Sequence, residues 1–217
     1  YGIEISEIQQ SLFARLVAEL PNDCKFMLTD QYRMTESIGR LVSTVFYGSR
    51  LHSEGPIPLF GLSESLPTPV VWLDTSDSAS RFEHRVDQSF ANPFEIQQIE
   101  LFLDRLNLDL YRQGETSQVL LLAPYSAQLR ELERLRKRSE RRWTQFQVSV
   151  SSIDAAQGRE ADIVVFSITT SNTTSRIGFL KEVPRVNVAL SRAKRGLILV
   201  GDMEFWLRTN TPLARVA

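Results

Sequence analysis

Two short strings of the sequence place an arginine where it could meet a nucleotide. Residues 31–34 read QYRM, in which Tyr32 offers a flat face for a base and Arg33 a forked cation for a phosphate. Residues 187–194 read NVALSRAK and carry Arg192. Because a guanidinium is always charged, either arginine could offset the charge that develops during phosphoryl transfer.

Two further strings are polar segments that adjoin apolar runs. Residues 121–128 read LLAPYSAQ and lead into a helical pattern, where free backbone N–H groups and the Ser126 hydroxyl can meet an anion. Residues 151–160 read SSIDAAQGRE and form a polar loop between two apolar runs. Each of the four strings follows or adjoins an apolar run or a helical pattern, and these elements must position its side chains.

Those elements alternate between strands and helices. Short apolar runs predict buried strands at residues 25–29, 70–74, 118–123, 148–153, 162–168 and 196–200. Helical spacing predicts helices at residues 8–20, 35–47, 93–111, 127–142 and 184–194. The alternation predicts an α/β fold with a mainly parallel sheet covered on both faces, formed by one domain over residues 1–217. Ligands of such folds sit beyond the carboxyl ends of the strands, and we expect all four strings there.

In this order and spacing, the strings resemble the second RecA-like domain of superfamily 1 helicases of the up-frameshift and senataxin type. QYRM resembles motif IV of that family, IDAAQGRE motif V and NVALSRAK motif VI, and the likeness runs from about Leu12 to Asp202. It implies a three-layer RecA-like fold of the P-loop NTPase type. It also implies a parent protein that is an ATP-dependent helicase or translocase on single-stranded DNA or RNA.

The resemblance implies a role for individual residues. It assigns Tyr32 to stacking on adenine, Arg33 to the terminal phosphate and Arg192 to the part of an arginine finger. Glu160 matches the acid that binds the ribose, and Gln157 and Gly158 belong to the loop that couples nucleotide state to strand grip. Three residues match positions near the nucleic-acid backbone: Tyr125, Ser126 and Ser152.

Each of these residues also has a plainer interpretation. Tyr32 could be a half-buried core aromatic, Arg33 a surface ion pair and Arg192 a solvated helix arginine. Glu160 could form a salt bridge with Arg159 or Arg195. The hydroxyl groups at the strand ends could cap the turns that follow them.

The sequence departs from the family pattern after QYRM, and it lacks the motifs that bind the phosphates of ATP and Mg²⁺. Family members often continue QYRM with His-Pro, whereas Thr35 and Glu36 follow here; Thr35 can cap the helix and Glu36 suits its positive end. The sequence contains neither G-x-x-x-x-G-K-[ST] nor an acidic pair after a strand. We therefore expect an N-terminal RecA-like domain before Tyr1 that holds most of ATP and Mg²⁺, and we expect this chain alone not to hydrolyse ATP.

Composition and charge limit the partners and the cellular compartment that we expect for this protein. The formal net charge of −1 gives no overall basic field, so any nucleic-acid site must be a local patch. Cys24 is the one cysteine and no zinc-ligand spacing occurs, so we expect no bound metal and a reducing, cytoplasmic setting. No apolar stretch is long enough to span a bilayer, which predicts no membrane partner.

The sequence also allows a function of a different class. The alternative to a helicase motor domain is a non-catalytic binding or scaffold module derived from a helicase.

Overall fold

The computed structural model describes residues 12–55 and 65–217. Its helices are α1 Leu12–Glu19, α2 Glu36–Phe46, α3 Pro93–Gln113, α4 Ser126–Ser139, α5 Val183–Leu190 and α6 Met203–Leu207. Its strands are β1 Asp30–Gln31, β2 His52–Ser53, β3 Val70–Asp74, β4 His84–Val86, β5 Ser89–Ala91, β6 Ser117–Ala123, β7 Phe146–Ser152, β8 Ala161–Ser167 and β9 Ala193–Gly201.

A five-stranded parallel sheet forms the centre of the fold, in the order β3-β9-β8-β6-β7. Its middle strands are almost entirely apolar and buried, because helices cover both of their faces. Two small sheets lie outside it, the parallel pair β1-β2 and the antiparallel pair β4-β5. The prediction of an α/β fold with a parallel sheet is therefore confirmed.

Alternate residues of each central strand face opposite layers. Val164 of β8 packs into one core with Ile38 of α2 and Val186 of α5. The neighbouring Val165 packs into a second core with α3 and α4. This period of two, repeated along β6 and β9, produces the three layers.

Helix α3 has the start and stop signals that its sequence predicts. The Asn92 side chain accepts a hydrogen bond from the Glu95 N–H at 3.2 Å, and Pro93 occupies the first helical position. Gly114 ends the helix in the left-handed conformation, with φ of 71°. The helix N-terminus is thereby fixed beneath the carboxyl end of β8, where Glu95 contacts Thr169.

Two of the predicted elements are wrong in position. Residues 25–29 form no strand, and Phe26 and Leu28 are 89% and 87% exposed, since nothing in the described chain covers them. The helix predicted at residues 184–194 ends at Leu190, because Ala193 already pairs with Ala161 in the sheet. Lys194 therefore lies on β9 and not on a helix.

The start of α2 differs from the expected cap. Thr35 stands at the N-cap position, yet its side chain caps nothing, and its buried hydroxyl has no hydrogen-bond partner among the described residues. Its N–H instead donates to the Lys194 carbonyl at 2.8 Å. The backbone of QYRM is thus tied to β9. Of the predicted opening helix, residues 12–19 are helical and residues 8–11 lie outside the described residues.

Candidate nucleotide and nucleic-acid sites

The turn that carries Arg33 is held by the side chain of Gln31. Its Oε1 accepts hydrogen bonds from the N–H groups of Arg33 at 3.0 Å and Met34 at 2.8 Å, and its Nε2 donates to the Met34 carbonyl at 2.9 Å. An amide is the side chain that can do both. Gln31 therefore positions the arginine, a role that the sequence alone did not assign to it.

Glu160 lies between two cations. Arg33 Nε is 2.8 Å from its Oε2, and Lys194 Nζ is 2.7 Å from its Oε1. Hydrogen bonds from Lys194 and then Arg33 lower the pKa of Glu160, so the carboxylate is ionised near neutral pH. The ion-pair partners of Glu160 are therefore Arg33 and Lys194. Arg195, one of the partners considered from the sequence, has its Nε 4.0 Å from Asp162 Oδ1. Lys194 is a site residue that the sequence analysis missed.

Arg192 is half-buried and bound to backbone. Its Nε donates to the Val188 carbonyl at 3.0 Å, its Nη1 to the Arg159 carbonyl at 3.3 Å and its Nη2 to Ser191 Oγ at 2.8 Å. Burial, and then repulsion from Arg33, lower the pKa of Arg192 from its ordinary value. It is therefore not a solvated helix arginine, and its guanidinium is aimed by fixed contacts.

A cavity of about 580 Å³ opens beside this cluster. It is lined by Tyr32, Arg33, Glu160, Asp162, Lys194 and Arg195. Tyr32 is 72% exposed, so the interpretation of this ring as a half-buried core aromatic is wrong. Arg33, Lys194 and the nearby Arg192 outnumber the one carboxylate that pairs with them. The excess positive charge suits a polyphosphate.

The predicted site residues divide between the two ends of the parallel strands. We call the side where the strands begin the amino edge of the sheet and the side where they end the carboxyl edge. Glu160 precedes β8 and Lys194 stands near the start of β9, so the arginine cluster lies at the amino edge. Tyr125 follows β6 and Ser152 ends β7, so both lie at the carboxyl edge. The expectation that all four strings lie beyond the carboxyl ends is therefore wrong for the arginine cluster. Arg33 reaches the amino edge through its ion pair with Glu160.

The segment between β7 and β8, residues 153–160, joins the two edges; we call it the motif V connection. Ile153 and Ala156 are buried in the core, which fixes the connection against one face of the sheet. Gln157 and Gly158 are exposed, and Gly158 has φ of 82° with no atom within 4 Å of where a Cβ would stand. Neither of these two residues is hydrogen-bonded to Arg192, but the adjoining Arg159 carbonyl accepts from Arg192 Nη1.

Tyr125 is locked between neighbours at the carboxyl edge. Its ring meets Phe90 edge-on at 5.4 Å between centroids and Phe179 at 6.2 Å. Its hydroxyl accepts from Thr170 Oγ1 at 3.3 Å and from the Phe179 N–H at 3.4 Å. The ring is half-buried, so Tyr125 joins the loop after β8 to the start of α4.

The two serines make the local contacts that strand-end hydroxyls commonly make. Ser152 Oγ accepts from the Ala155 N–H at 3.2 Å and so caps the turn over Asp154–Ala156. Ser126 is exposed, with its Oγ 3.2 Å from Ser89 Oγ. Ser89 rather than Ser126 satisfies an amide of α4, because it accepts from the Ala127 N–H at 3.1 Å. Of these two serines, Ser126 is the exposed one and Ser152 is half-buried.

Residues 12–55 and 65–217 contain neither a group of metal-ligating side chains nor a helix that could span a membrane. In that part of the chain no group of three or more histidine, cysteine, aspartate or glutamate side chains could hold a metal ion. Nor does any described helix have the length and apolar character needed to cross a bilayer.

Comparison with known proteins returned helicases. DNA polymerase alpha-associated DNA helicase A of Schizosaccharomyces pombe is 31% identical over 206 residues, covering 88% of this chain and 30% of that protein. Helicase sen1 of the same organism is 30% identical over 203 residues, covering 90% of this chain and 12% of that protein. ATP-dependent helicase NAM7 of Saccharomyces cerevisiae is 30% identical over 202 residues, covering 90% and 20%.

The chain thus spans less than a third of the length of each of these relatives. A crystal structure described as the C-terminal domain of a possible DNA helicase from Lactobacillus plantarum aligns with a TM-score of 0.44 and 19% identity, over 86% of this chain and 94% of that one. The AAA_12 family model, described as an AAA domain, matches residues 8–204. The chain therefore belongs to the AAA_12 family, a C-terminal helicase-type domain of superfamily 1 helicases.

Proposed function

We propose that this chain is the second motor domain of an ATP-dependent helicase or translocase on single-stranded DNA or RNA. The observation that carries the proposal is the meeting of Arg33, Glu160 and Arg192 at the amino edge. The sequence-based resemblance assigns all three to the nucleotide. The names of the relatives, which include DNA helicase and ATP-dependent helicase, agree with this activity.

The nucleotide would lie between this amino edge and another domain. Arg33 and Arg192 would then face its phosphates, where fixed cations stabilise the charge of phosphoryl transfer. Tyr32 would stack on the base, and Glu160 would accept from a ribose hydroxyl. Arg33 has to exchange some of its contact with Glu160 for phosphate, which the open cavity beside it allows.

The side chains at the amino edge fit the phosphates of ATP better than they fit Mg²⁺. The described part of the chain supplies cations there but no carboxylate cluster that could bind the ion. We therefore propose that an N-terminal RecA-like domain of the same polypeptide provides the P-loop and the acids for Mg²⁺, and that the present chain alone does not hydrolyse ATP. Closure of the two domains would complete the site.

The nucleic-acid strand would lie at the opposite, carboxyl edge. Tyr125, Ser126 and Ser152 stand there, and the motif V connection runs from Ser152 to the amino edge. Gln157 and Gly158 in that connection would transmit the nucleotide state to the strand. A reducing, cytoplasmic setting belongs to the same proposal, since Cys24 is free and exposed.

The test uses a protein in which this chain follows its ATP-binding domain. We expect Arg192→Ala to lower the kcat of nucleic-acid-stimulated ATP hydrolysis by about 10³-fold or more, as loss of an arginine finger does. Arg192→Lys restores the charge but not the fork, so it should recover only part of the rate. Arg112→Ala, on the exposed surface of α3, is the matched control.

Three results of this test would be informative. Wild-type ATPase activity in the Arg192→Ala protein contradicts the arginine-finger assignment. An unmodified parent that binds single strands yet hydrolyses no ATP favours the non-catalytic binding module. Loss of strand binding together with loss of ATPase in Arg192→Ala indicates misfolding, which a thermal melt of the same sample detects.

A further inference from the structure

The loop that follows β8 borders the carboxyl edge beside Tyr125. We call residues 168–177 the β8 loop. Thr170 donates to the Tyr125 hydroxyl at 3.3 Å, and Phe179, just beyond the loop, donates its N–H to the same hydroxyl at 3.4 Å. The β8 loop therefore adjoins the surface on which the proposed function places the single strand, and the inference below rests on that function.

The base of the β8 loop is held from inside by Glu95. This carboxyl group is fully buried and accepts from the Thr169 N–H at 2.9 Å and from Ser167 Oγ at 2.5 Å. Thr169 has φ of 68°, a left-handed conformation that is costly for a β-branched residue. A buried carboxyl and a strained threonine are both unfavourable alone, so their pairing indicates that this loop conformation is imposed by the surrounding structure.

The middle of the β8 loop is held by two more acids. Ser171 donates its N–H to Glu83 and its Oγ to Asp202, the latter at 2.6 Å. Asn172 Nδ2 donates to Glu83 at 2.9 Å. The loop is thus supported from three separate segments of the chain, at Glu83, Glu95 and Asp202, and its conformation does not depend on a ligand.

The outer turn of the β8 loop is closed by one side chain. Asn172 Oδ1 accepts from the N–H groups of Thr174 at 3.1 Å and Arg176 at 3.0 Å, and Asn172 Nδ2 donates to the Arg176 carbonyl at 2.9 Å. The backbone of Arg176 is therefore fixed. Its guanidinium is exposed and makes no hydrogen bond or ion pair with residues 12–55 or 65–217.

A fixed backbone that presents an unpartnered arginine beside polar residues is a phosphate-binding arrangement. Thr173 and Ser175 are exposed in the same turn and can donate to phosphate oxygens, whereas the Thr174 hydroxyl already donates to Asn172 Oδ1. We propose that the β8 loop is a preformed contact element for the backbone of a single-stranded nucleic acid, with Arg176 as its phosphate ligand and Glu95, Glu83 and Asn172 as the residues that position it.

The test measures binding of this chain to a fluorescein-labelled oligo(dT) and a labelled oligo(rU) by anisotropy at several salt concentrations. For a single strand, the slope of log affinity against log salt is about −0.7 per phosphate contacted. We expect Arg176→Ala to reduce that slope by about 0.7 and to weaken both probes alike, because a phosphate contact carries no base information. Arg176→Lys should keep the wild-type slope, since it keeps the charge.

The matched control is Arg112→Ala, which removes an arginine whose side chain is 65% exposed on α3 and should leave the slope unchanged. An unchanged slope in Arg176→Ala, with wild-type binding intact, overturns the inference and leaves the proposed function standing. Absence of salt-dependent binding by the wild-type chain contradicts strand binding itself, and the inference falls with it. Equal loss in Arg176→Ala and Arg112→Ala also overturns it, because the effect is then one of net charge.

A second variant separates positioning from charge. Asn172→Ala frees the outer turn and leaves Arg176 in place. We expect weaker binding with the salt slope retained, because the loop must then be ordered on binding while the same phosphate is neutralised. Binding of Asn172→Ala at wild-type affinity would show that Asn172 does not position the loop.

Discussion

At the scale of single residues, the carboxyl groups of Glu160 and Glu95 differ because their surroundings differ. Glu160 is 42% exposed between two cations, which lower its pKa. Glu95 is fully buried, and this burial raises its pKa to about 8 even though Ser167 and Thr169 donate to it. Glu160 is therefore charged at neutral pH, whereas Glu95 is neutral over most of the acid to neutral range.

The raised pKa of Glu95 predicts a particular pH dependence of stability. Between the ordinary value of 4.5 and about 8, the folded state holds a proton that the unfolded state has lost. Stability from this group is therefore greatest below pH 4.5 and declines as pH rises to about 8, by at most about 1.4 kcal/mol per pH unit. Glu95→Gln should flatten this decline in urea unfolding between pH 5.5 and 8.

Glu100 on the same helix provides the control. Hydrogen bonds from Arg138, and then Arg142, lower the pKa of Glu100 below its ordinary value. Its contribution is present at neutral pH and is lost only as pH falls through that lowered value, so Glu100→Gln should not alter the slope above pH 5.5. An equal decline in wild type and Glu95→Gln would contradict the assignment.

The arginines of the site could be predicted from sequence, but their partners could not. Arg33 and Arg192 stand in strings that mark them out. Lys194 meets Glu160 only because β8 and β9 are neighbours in the sheet. Gln31 acts through a local turn with Arg33 and Met34, which no sequence signal marked. Glu95 resembles an ordinary acid in the first turn of a helix, and its contacts with Ser167 and Thr169 arise only once α3 packs beneath β8.

At the scale of elements, the strands with the most complete burial were the easiest to predict. The runs in β6, β8 and β9 are apolar throughout because helices cover both faces. Residues 26–28 are also three consecutive apolar residues but lie exposed, so a short apolar run alone could not distinguish them. The short strands β4 and β5 carry polar residues on an exposed hairpin, and no hydrophobic pattern marked them.

The N-terminus of α3 should be unusually sensitive to its cap. Asn92 is buried, accepts from the Glu95 N–H and donates through Nδ2 to the Arg81 carbonyl at 2.8 Å. Asn92→Ala loses a cap worth about 1 kcal/mol and takes the donor from a half-buried carbonyl, at about 1–3 kcal/mol. We expect a loss of roughly 2–4 kcal/mol in urea unfolding.

Gly114→Ala tests the other end of α3. Gly114 is left-handed, with nothing within 4 Å of an added Cβ, so only backbone strain opposes the change. That strain should cost about 1 kcal/mol, clearly less than Asn92→Ala. Equal costs for the two variants would mean that Asn92 acts as a cap alone.

At the scale of the whole molecule, the proposed nucleotide and strand surfaces lie at opposite edges of one sheet. Each central strand has seven residues or more, which at about 3.3 Å per residue separates the edges by about 20 Å. That distance exceeds the screening length of about 8 Å at physiological salt. Charges at one edge therefore act little on the other through the electric field.

Because the two surfaces lie at opposite edges, we expect a substitution at the amino edge to leave strand binding by the isolated chain nearly unchanged. Arg192→Ala should change its affinity for labelled oligo(dT) in 0.15 M salt by no more than about twofold, the limit for distant sites that share no partner. Arg176→Ala should weaken the same binding. Equal weakening by both variants would place the strand at the amino edge as well.

The motif V connection has a mechanical consequence. From Ser152 it must pass β6 and return to Ala161 at the far edge, a distance of about 20 Å or more. It makes this return as a series of tight turns, because the N–H groups of Ala156, Gln157 and Arg159 each donate to the carbonyl three residues earlier. Two of its side chains are also buried in the core, so the connection is a semi-rigid segment and not a slack loop. We therefore expect that a displacement of Glu160 at the amino edge is passed along the connection to Ser152, without any rearrangement of the sheet between them.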